Sequence, residues 1–159
     1  MARTKIHPFL WFDTEAEEAM NLYCSIFANA KKGAVSRYPE ATPGGLGGKV
    51  MTAEFELEGL HVTALNAGPR FKFNEAISLY VDCEDQAEVD HYWNALTADG
   101  GEESMCGWLK DRFGLSWQIV PRRLTELMSD PDRDRANRAV QAMLQMKKIV
   151  VADLEAAAG

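Results

Sequence analysis

Between residues 5 and 27 the apolar positions change from a two-residue to a helical period. Lys5-Ile6-His7-Pro8-Phe9-Leu10-Trp11-Phe12 places Ile6, Leu10 and Phe12 on one strand face and His7, Phe9 and Trp11 on the other. A strand apolar on both faces is normally covered on both. Thr14, with Glu17 three residues later, has the form of a capping box. Ala16, Ala19, Met20, Tyr23, Ile26 and Phe27 then follow at helical spacing, and the helix is expected to stop near Asn29.

The same succession returns later. Ala76–Asp82 alternates, with Ile77, Leu79 and Val81 on one face; Asp85 and Glu88 form a second capping box. Val89, Tyr92, Trp93 and Leu96 mark a helix that ends before Gly100-Gly101. Adding 69 carries Leu10 to Leu79, Phe12 to Val81, Asp13 to Asp82, Tyr23 to Tyr92 and Phe27 to Leu96, without a gap. A constant offset that keeps both strand and helix phase is the mark of an internal duplication.

Strands are expected after each helix: Ala34–Tyr38, Lys49–Leu57 and Leu60–Asn66 in the first half, and 104–106, Trp108–Lys110 and Leu115–Val120 in the second. The fold class is therefore α+β, with the order βαβββ twice over: a first module at 5–67 and a second at 76–121 of one domain spanning 1–159. Helices on one face of each curved sheet leave the other face lined with side chains, which suits a pocket. Beyond Pro121 a charged helix is expected from Pro131 to about Ala156, within an extension at 130–157 that packs on the domain or on a partner subunit.

Composition narrows the classes of function. With 159 residues, 47% hydrophobic and 26% charged, the chain can bury a core and is not a disordered polypeptide. Its 24 acidic and 17 basic residues give a formal charge of −7, which weighs against nucleic acid or anionic membrane as a partner. No apolar run approaches the ~18 residues of a membrane span. The start, Met1-Ala2-Arg3-Thr4-Lys5, shows no leader-like pattern, and three cysteines (Cys24, Cys83, Cys106) point to a reduced, cytoplasmic protein.

Several segments together resemble the vicinal oxygen chelate superfamily, which holds glyoxalase I, bleomycin-resistance proteins and extradiol dioxygenases. The wording is similar to its PhnB-like branch, also labelled 3-demethylubiquinone-9 3-methyltransferase-like. The carrying residues are Phe9–Asp13, Glu17-Glu18-Ala19 through Tyr23, Ala64–Pro69, Phe71–Ala76 and Cys106–Pro121, with further likeness in the tail at Ala142-Met143 and Met146–Lys148. The resemblance implies paired βαβββ modules, a homodimer, and in metal-using members one ligand from each of four strands.

The four implied ligand positions fall on His7, Ala76, Gln118 and either Thr63 or Ala64. One imidazole and one amide are too few for a conventional divalent site, so no metal and no cofactor are expected. A shifted site using His61, Asn66 or Glu75 would need the geometry rebuilt. A methyl donor site normally uses a Gly-rich turn between a strand and a helix. Gly44-Gly45-Leu46-Gly47-Gly48 sits between two strands instead, and is expected to be a flexible loop over the pocket mouth.

The expected ligand is a small, partly apolar molecule held by Phe9, Trp11 and Tyr80 together with His7, Asn66, Ser78 and Gln118. The alternative is an enzyme, either lyase, isomerase or dioxygenase-like with an unconventional metal, or metal-free with a general base such as His7. Cys106 is expected to be a buried structural cysteine, Trp117 a core residue under a helix, and Asp111 and Arg112 surface charges.

Overall fold

The structure, a computed structural model, describes residues 5–159. The first four residues, on which the expectation about a leader partly rests, lie outside the described residues. The chain forms two compact units that divide between Lys72 and Phe73.

The first unit contains β1 (Phe9–Phe12), α1 (Ala16–Ile26), β2 (Ala30–Arg37), β3 (Val50–Leu57) and β4 (Leu60–Asn66). Its sheet runs β1-β4-β3-β2, with β1 parallel to β4 and the other pairs antiparallel. Period-two alternation turns Leu10, Phe12, Ala53, Phe55, Val62 and Ala64 inward, where they meet Ala19, Met20, Tyr23 and Ile26 of α1. The register pairs Phe9 with Thr63 and Leu10 with Ala64. Ala64 is therefore the core residue, and Thr63 belongs to the face of Phe9 and Trp11.

Three details differ from the sequence expectation. The first strand begins at Phe9, not Lys5: Pro8 has no N–H to give a ladder, and Ile6 is 89% exposed. Thr14 does not cap α1; the N-cap is Glu15, which makes no side-chain cap bond, and the amide of Ala16 donates instead to Oδ1 of Asn66 at 2.8 Å. β2 starts at Ala30 and carries a register shift between Lys32 and Val35.

The second unit repeats the arrangement with β5 (Ser78–Cys83), α2 (Gln86–Thr97), β6 (Glu102–Glu103), β7 (Trp108–Lys110) and β8 (Ser116–Pro121). The sheet order β5-β8-β7-β6, with β5 parallel to β8, reproduces the first sheet. Asp85 caps α2 as expected, its Oδ1 accepting from the Glu88 amide at 3.0 Å, but the return bond of a capping box is shifted by one residue: Glu88 accepts from the Glu84 amide, at 2.7 Å, and not from that of Asp85. Leu109, Leu115, Trp117 and Ile119 form the core with Val89, Trp93 and Leu96. Two similar βαβββ modules followed by extra C-terminal helices make this the glyoxalase and bleomycin-resistance type of α+β fold.

Asp111 is not a surface charge. It is 2% exposed, and its carboxylate accepts from the amides of Phe113 and Leu115 and from the indole of Trp117. It closes the β7–β8 turn from inside.

After β8 the chain forms α3 (Arg122–Met128), ahead of the expected helix, and then α4 (Arg133–Met143) and α5 (Val151–Ala158) in place of the one long helix expected from Pro131. The break at 144–150 contains neither Gly nor Pro, so tertiary bonds cause it. Met146 and Lys147 give their carbonyls to the amides of Cys106 and Gly107, at 2.7 and 2.8 Å. The Gln86 amide group bonds both the Ile149 carbonyl and the Val151 N–H. Val120, Leu124, Leu127, Ala139, Ile149, Leu154 and Ala158 then form one buried cluster, which joins all three helices to β8.

Candidate functional site

The register of the second sheet sorts the residues opposite its core into rows. Ser78, Ser116 and Lys110 form one row, and Tyr80, Gln118 and Trp108 the next. Asp82 and Val120 follow. Within these rows Gln118 Nε2 donates to Ser78 Oγ at 2.9 Å, which fixes the direction of the amide.

A cavity of about 520 Å³ lies on this face. Tyr80, Trp108, Gln118 and Val120 line it from the sheet, and Leu124, Thr125, Met128 and Ser129 of α3 with Met143 of α4 line it from the other side. Cys106 completes the lining, half-buried rather than enclosed as a structural cysteine would be. No Asp, Glu, Lys or Arg is part of the lining. Desolvating an unpaired charge there would be costly, so the chemistry suits an uncharged guest that stacks on aromatic rings and meets one or two polar groups.

The turn that carries Cys106 is tightly specified. Cys106 and Gly107 both have positive φ, at 59° and 81°. A Cβ on Gly107 would stand 2.9 Å from the Ile119 carbonyl oxygen and 3.2 Å from Ile149 Cγ1, so only glycine fits. Trp108 follows directly and is held by a backbone bond to Met105.

Of the seven expected contact residues, the structure brings Ser78, Tyr80 and Gln118 together in the second unit. The other four belong to the first unit. His7 Nε2 lies 3.2 Å from Thr63 Oγ1, and its ring meets that of His61 edge-on with centroids 4.6 Å apart. Phe9 is 59% exposed on the same side of the sheet. Trp11 donates its indole N–H to the Gly68 carbonyl at 2.8 Å and packs on Phe71. Asn66 is buried, and both ends of its amide are used inside the unit, by Ala16 and by the Val50 carbonyl. The α3 and α4 side chains of the cavity were not among the expected residues. Helical periodicity marks which of them are apolar but not which face a sheet.

The electrostatics near the site are local. A hydrogen bond from Lys110 holds the Glu75 carboxyl below the usual carboxylate range, and Glu75 raises the Lys110 ammonium in return. The Trp93 indole, donating to Glu103 at 2.9 Å, likewise lowers that carboxyl. Burial pushes the Cys83 thiol up to about 12, helped by Glu88, Asp82 and Asp85. All three cysteines are free thiols.

A resident divalent ion does not fit the residues present. Among the described residues no group of three or more His, Cys, Asp or Glu is placed to hold one. In the first unit the implied positions supply His7 beside a threonine. In the second they supply Ala76 and an amide whose nitrogen is bonded to Ser78. The glycine loop does not fit a methyl donor either. It leads into β3, not a helix, and it is tied to itself by bonds between Tyr38 and Lys49, Gly48 and Tyr38, and Lys49 and Leu46. A Cβ on Gly47 would fall 2.3 Å from the Glu40 carbonyl oxygen, which explains glycine there.

The family described as 3-demethylubiquinone-9 3-methyltransferase matches residues 4–120. The chain belongs to that family. Among solved structures, the PhnB protein of Bacillus cereus is 37% identical, with a TM-score of 0.67 over 74% of this chain and 99% of that one. A protein from Pseudomonas aeruginosa (22% identity, TM-score 0.62, 75% and 98% covered) shares the fold. So does the genomically encoded fosfomycin resistance protein of Listeria monocytogenes (18% identity, TM-score 0.54, 82% and 100% covered). No curated protein matches.

Membership in the 3-demethylubiquinone-9 3-methyltransferase family places the chain in the vicinal oxygen chelate superfamily, whose fold holds small molecules. The family match ends at residue 120, so the likeness expected in the tail at 142–148 is not part of it. Family sheet residues thus form one wall of the cavity, and residues beyond the match, 124–129 and 143, form the other.

Proposed function

We propose that this protein binds an uncharged, partly apolar small molecule on the open face of its second sheet. The observation that carries the proposal is the cavity of about 520 Å³ that joins Tyr80, Trp108 and Gln118 to α3 and α4 without a charged side chain in its lining. Tyr80 and Trp108 offer ring faces, and Gln118, oriented by Ser78, offers a fixed polar contact. The helical wall, which lies beyond the family match, would set selectivity. His7, Phe9 and Trp11 are proposed as further contacts on the open face of the first sheet. Asn66 supports α1 instead.

The methyltransferase activity named in the family's description is not part of this proposal, because the glycine loop lacks the strand-to-helix setting that a donor would use. A homodimeric, cytoplasmic protein that does not bind nucleic acid is proposed on the family likeness, the charge of −7 and the free thiols. Among the described residues no helix is long and apolar enough to cross a membrane. Light scattering after gel filtration tests the dimer.

Ligand-observed NMR with a set of neutral aromatic fragments tests the pocket. Binding that is lost in Tyr80→Ala and Gln118→Leu but kept in Arg133→Ala supports the proposal. An absence of hits, or hits indifferent to both pocket substitutions, overturns it.

A further inference from the structure

Gln118 stands in the middle of its row. The register pairs it with Tyr80 on one side and Trp108 on the other, and neighbouring strands lie about 4.8 Å apart. A flat guest resting on either ring has the Gln118 amide within reach of its edge. Which end of the amide it meets decides what that edge must carry.

The donor end is spent. Gln118 Nε2 donates to Ser78 Oγ at 2.9 Å, and Ser78 itself is not part of the cavity lining, so it holds the amide from outside. The acceptor end is free. Among the described residues no donor reaches Gln118 Oε1, and unlike the Ser116 hydroxyl this oxygen is not sealed from solvent.

The wall around it has spent donors in the same way. Ser129 gives its hydroxyl proton to the carbonyls of Thr125 and Glu126, at 2.7 and 3.1 Å, which leaves its lone pairs. The amides of Cys106, Gly107 and Trp108 go to the carbonyls of Met146, Lys147 and Met105. The hydroxyls of Tyr80 and Thr125 can give or take, so they do not discriminate. The Trp108 indole is a donor, but it treats both members of each ligand pair below alike.

We infer that the guest of this cavity is a hydrogen-bond donor, an aromatic ring with a neutral N–H or O–H on its edge given to Gln118 Oε1, and that Ser78 is the positioning residue that sets this preference. The inference rests on the reading of the cavity proposed above. A guest without a donor would cover the acceptor and leave it unpaired, which costs more than a typical hydrogen bond gains. Sites that bond a substrate N–H or O–H reject an analogue lacking it more strongly than they reject an extra methylene. Without Ser78 the amide is free to turn over and offer Nε2, so selectivity depends on a residue that does not line the cavity.

The experiment measures dissociation constants by ligand-observed NMR for two matched pairs, phenol against anisole and indole against N-methylindole. The methyl group adds apolar area, which by itself favours the capped member of each pair. The donor is nonetheless expected to bind roughly fivefold or more tightly, the size of one net hydrogen bond. In Gln118→Met the preference should vanish or reverse. In Ser78→Ala it should fall below about twofold, since a freed amide presents either end. Ser78→Thr keeps the hydroxyl and should keep the preference. Each ratio compares two ligands on one protein, so a general loss of stability cancels. Equal or tighter binding of the capped members to the native protein, or a ratio unchanged in Ser78→Ala, overturns this inference and leaves the cavity reading in place. Absence of binding by every member overturns both.

Discussion

The side-chain oxygen of Asn66, at the end of the fourth strand, accepts the backbone N–H of Ala16 at the start of the first helix, at 2.8 Å. The same amide donates to the Val50 carbonyl at 3.2 Å, so one buried side chain ties α1 to β3 and β4. Helix N-termini leave four N–H groups without intrahelical partners, and this unit satisfies one of them from another element.

Asn66→Ala removes the acceptor and the donor together and fills neither place. A stability loss of about 1–2 kcal/mol is expected, the range of a lost cap plus a buried unpaired amide. Urea unfolding reads it as a lower midpoint with an unchanged slope. Asn66→Asp keeps the acceptor for Ala16 and should fall between.

That bond also marks what could be read in advance. The offset of 69 between Leu10 and Leu79, or Tyr23 and Tyr92, was legible because strand and helix periods are written in consecutive residues. Both tyrosines are buried in their helices as the phase requires. Asp85 and Glu88 were legible for the same reason, since a helix cap is local. The cap from Asn66 was not, because its donor and acceptor are 50 positions apart. The break at 144–150 and the burial of Asp111 have the same origin in distant partners. In the site, Tyr80 and Gln118 could be placed on an open face by strand alternation, but nothing local tells Met128 or Met143 which sheet they will meet.

Asp111 offers three acceptances from inside a turn: two backbone amides on Oδ1, and the Trp117 indole on Oδ2 at 2.9 Å. Asp111→Ala should destabilise the protein by about 3 kcal/mol or more, since a hydrogen bond to a charged group carries roughly 1.5–3 kcal/mol and three are lost together. Asp111→Asn turns an amide donor toward the indole or the backbone and should also be costly. In a double-mutant cycle with Trp117→Phe, the two losses should add to more than the double variant shows. Strict additivity would mean that the indole bond contributes nothing.

Gly107 should resist even alanine. Its φ of 81° strains any L side chain, and the added Cβ would press on the Ile119 carbonyl oxygen at 2.9 Å. Gly107→Ala is expected to cost about 1–3 kcal/mol in thermal or urea unfolding. Because Cys106 and Trp108 flank the turn, the variant should also weaken neutral fragments at the cavity that both line, whereas Gly114→Ala should leave them unchanged. Gly114 has a positive φ too, but nothing lies within 4 Å of its would-be Cβ.

Cys83 gives a test at alkaline pH. Burial, with Glu88, Asp82 and Asp85 nearby, pushes its thiol up to about 12 from an ordinary 9.0. The folded protein therefore keeps this proton through a range where the unfolded chain releases it. The sign follows from linkage: the stability contribution is level below pH 9, falls as pH rises toward 12, and approaches a slope of one proton in between. Urea midpoints at about pH 8, 9.5 and 11 should fall more steeply for the native sequence than for Cys83→Ala, in which this proton is absent. At pH 8 iodoacetamide should modify Cys106 well before Cys83, which is fully buried. Parallel pH curves for the two proteins, or early alkylation of Cys83, would contradict the burial account of its thiol.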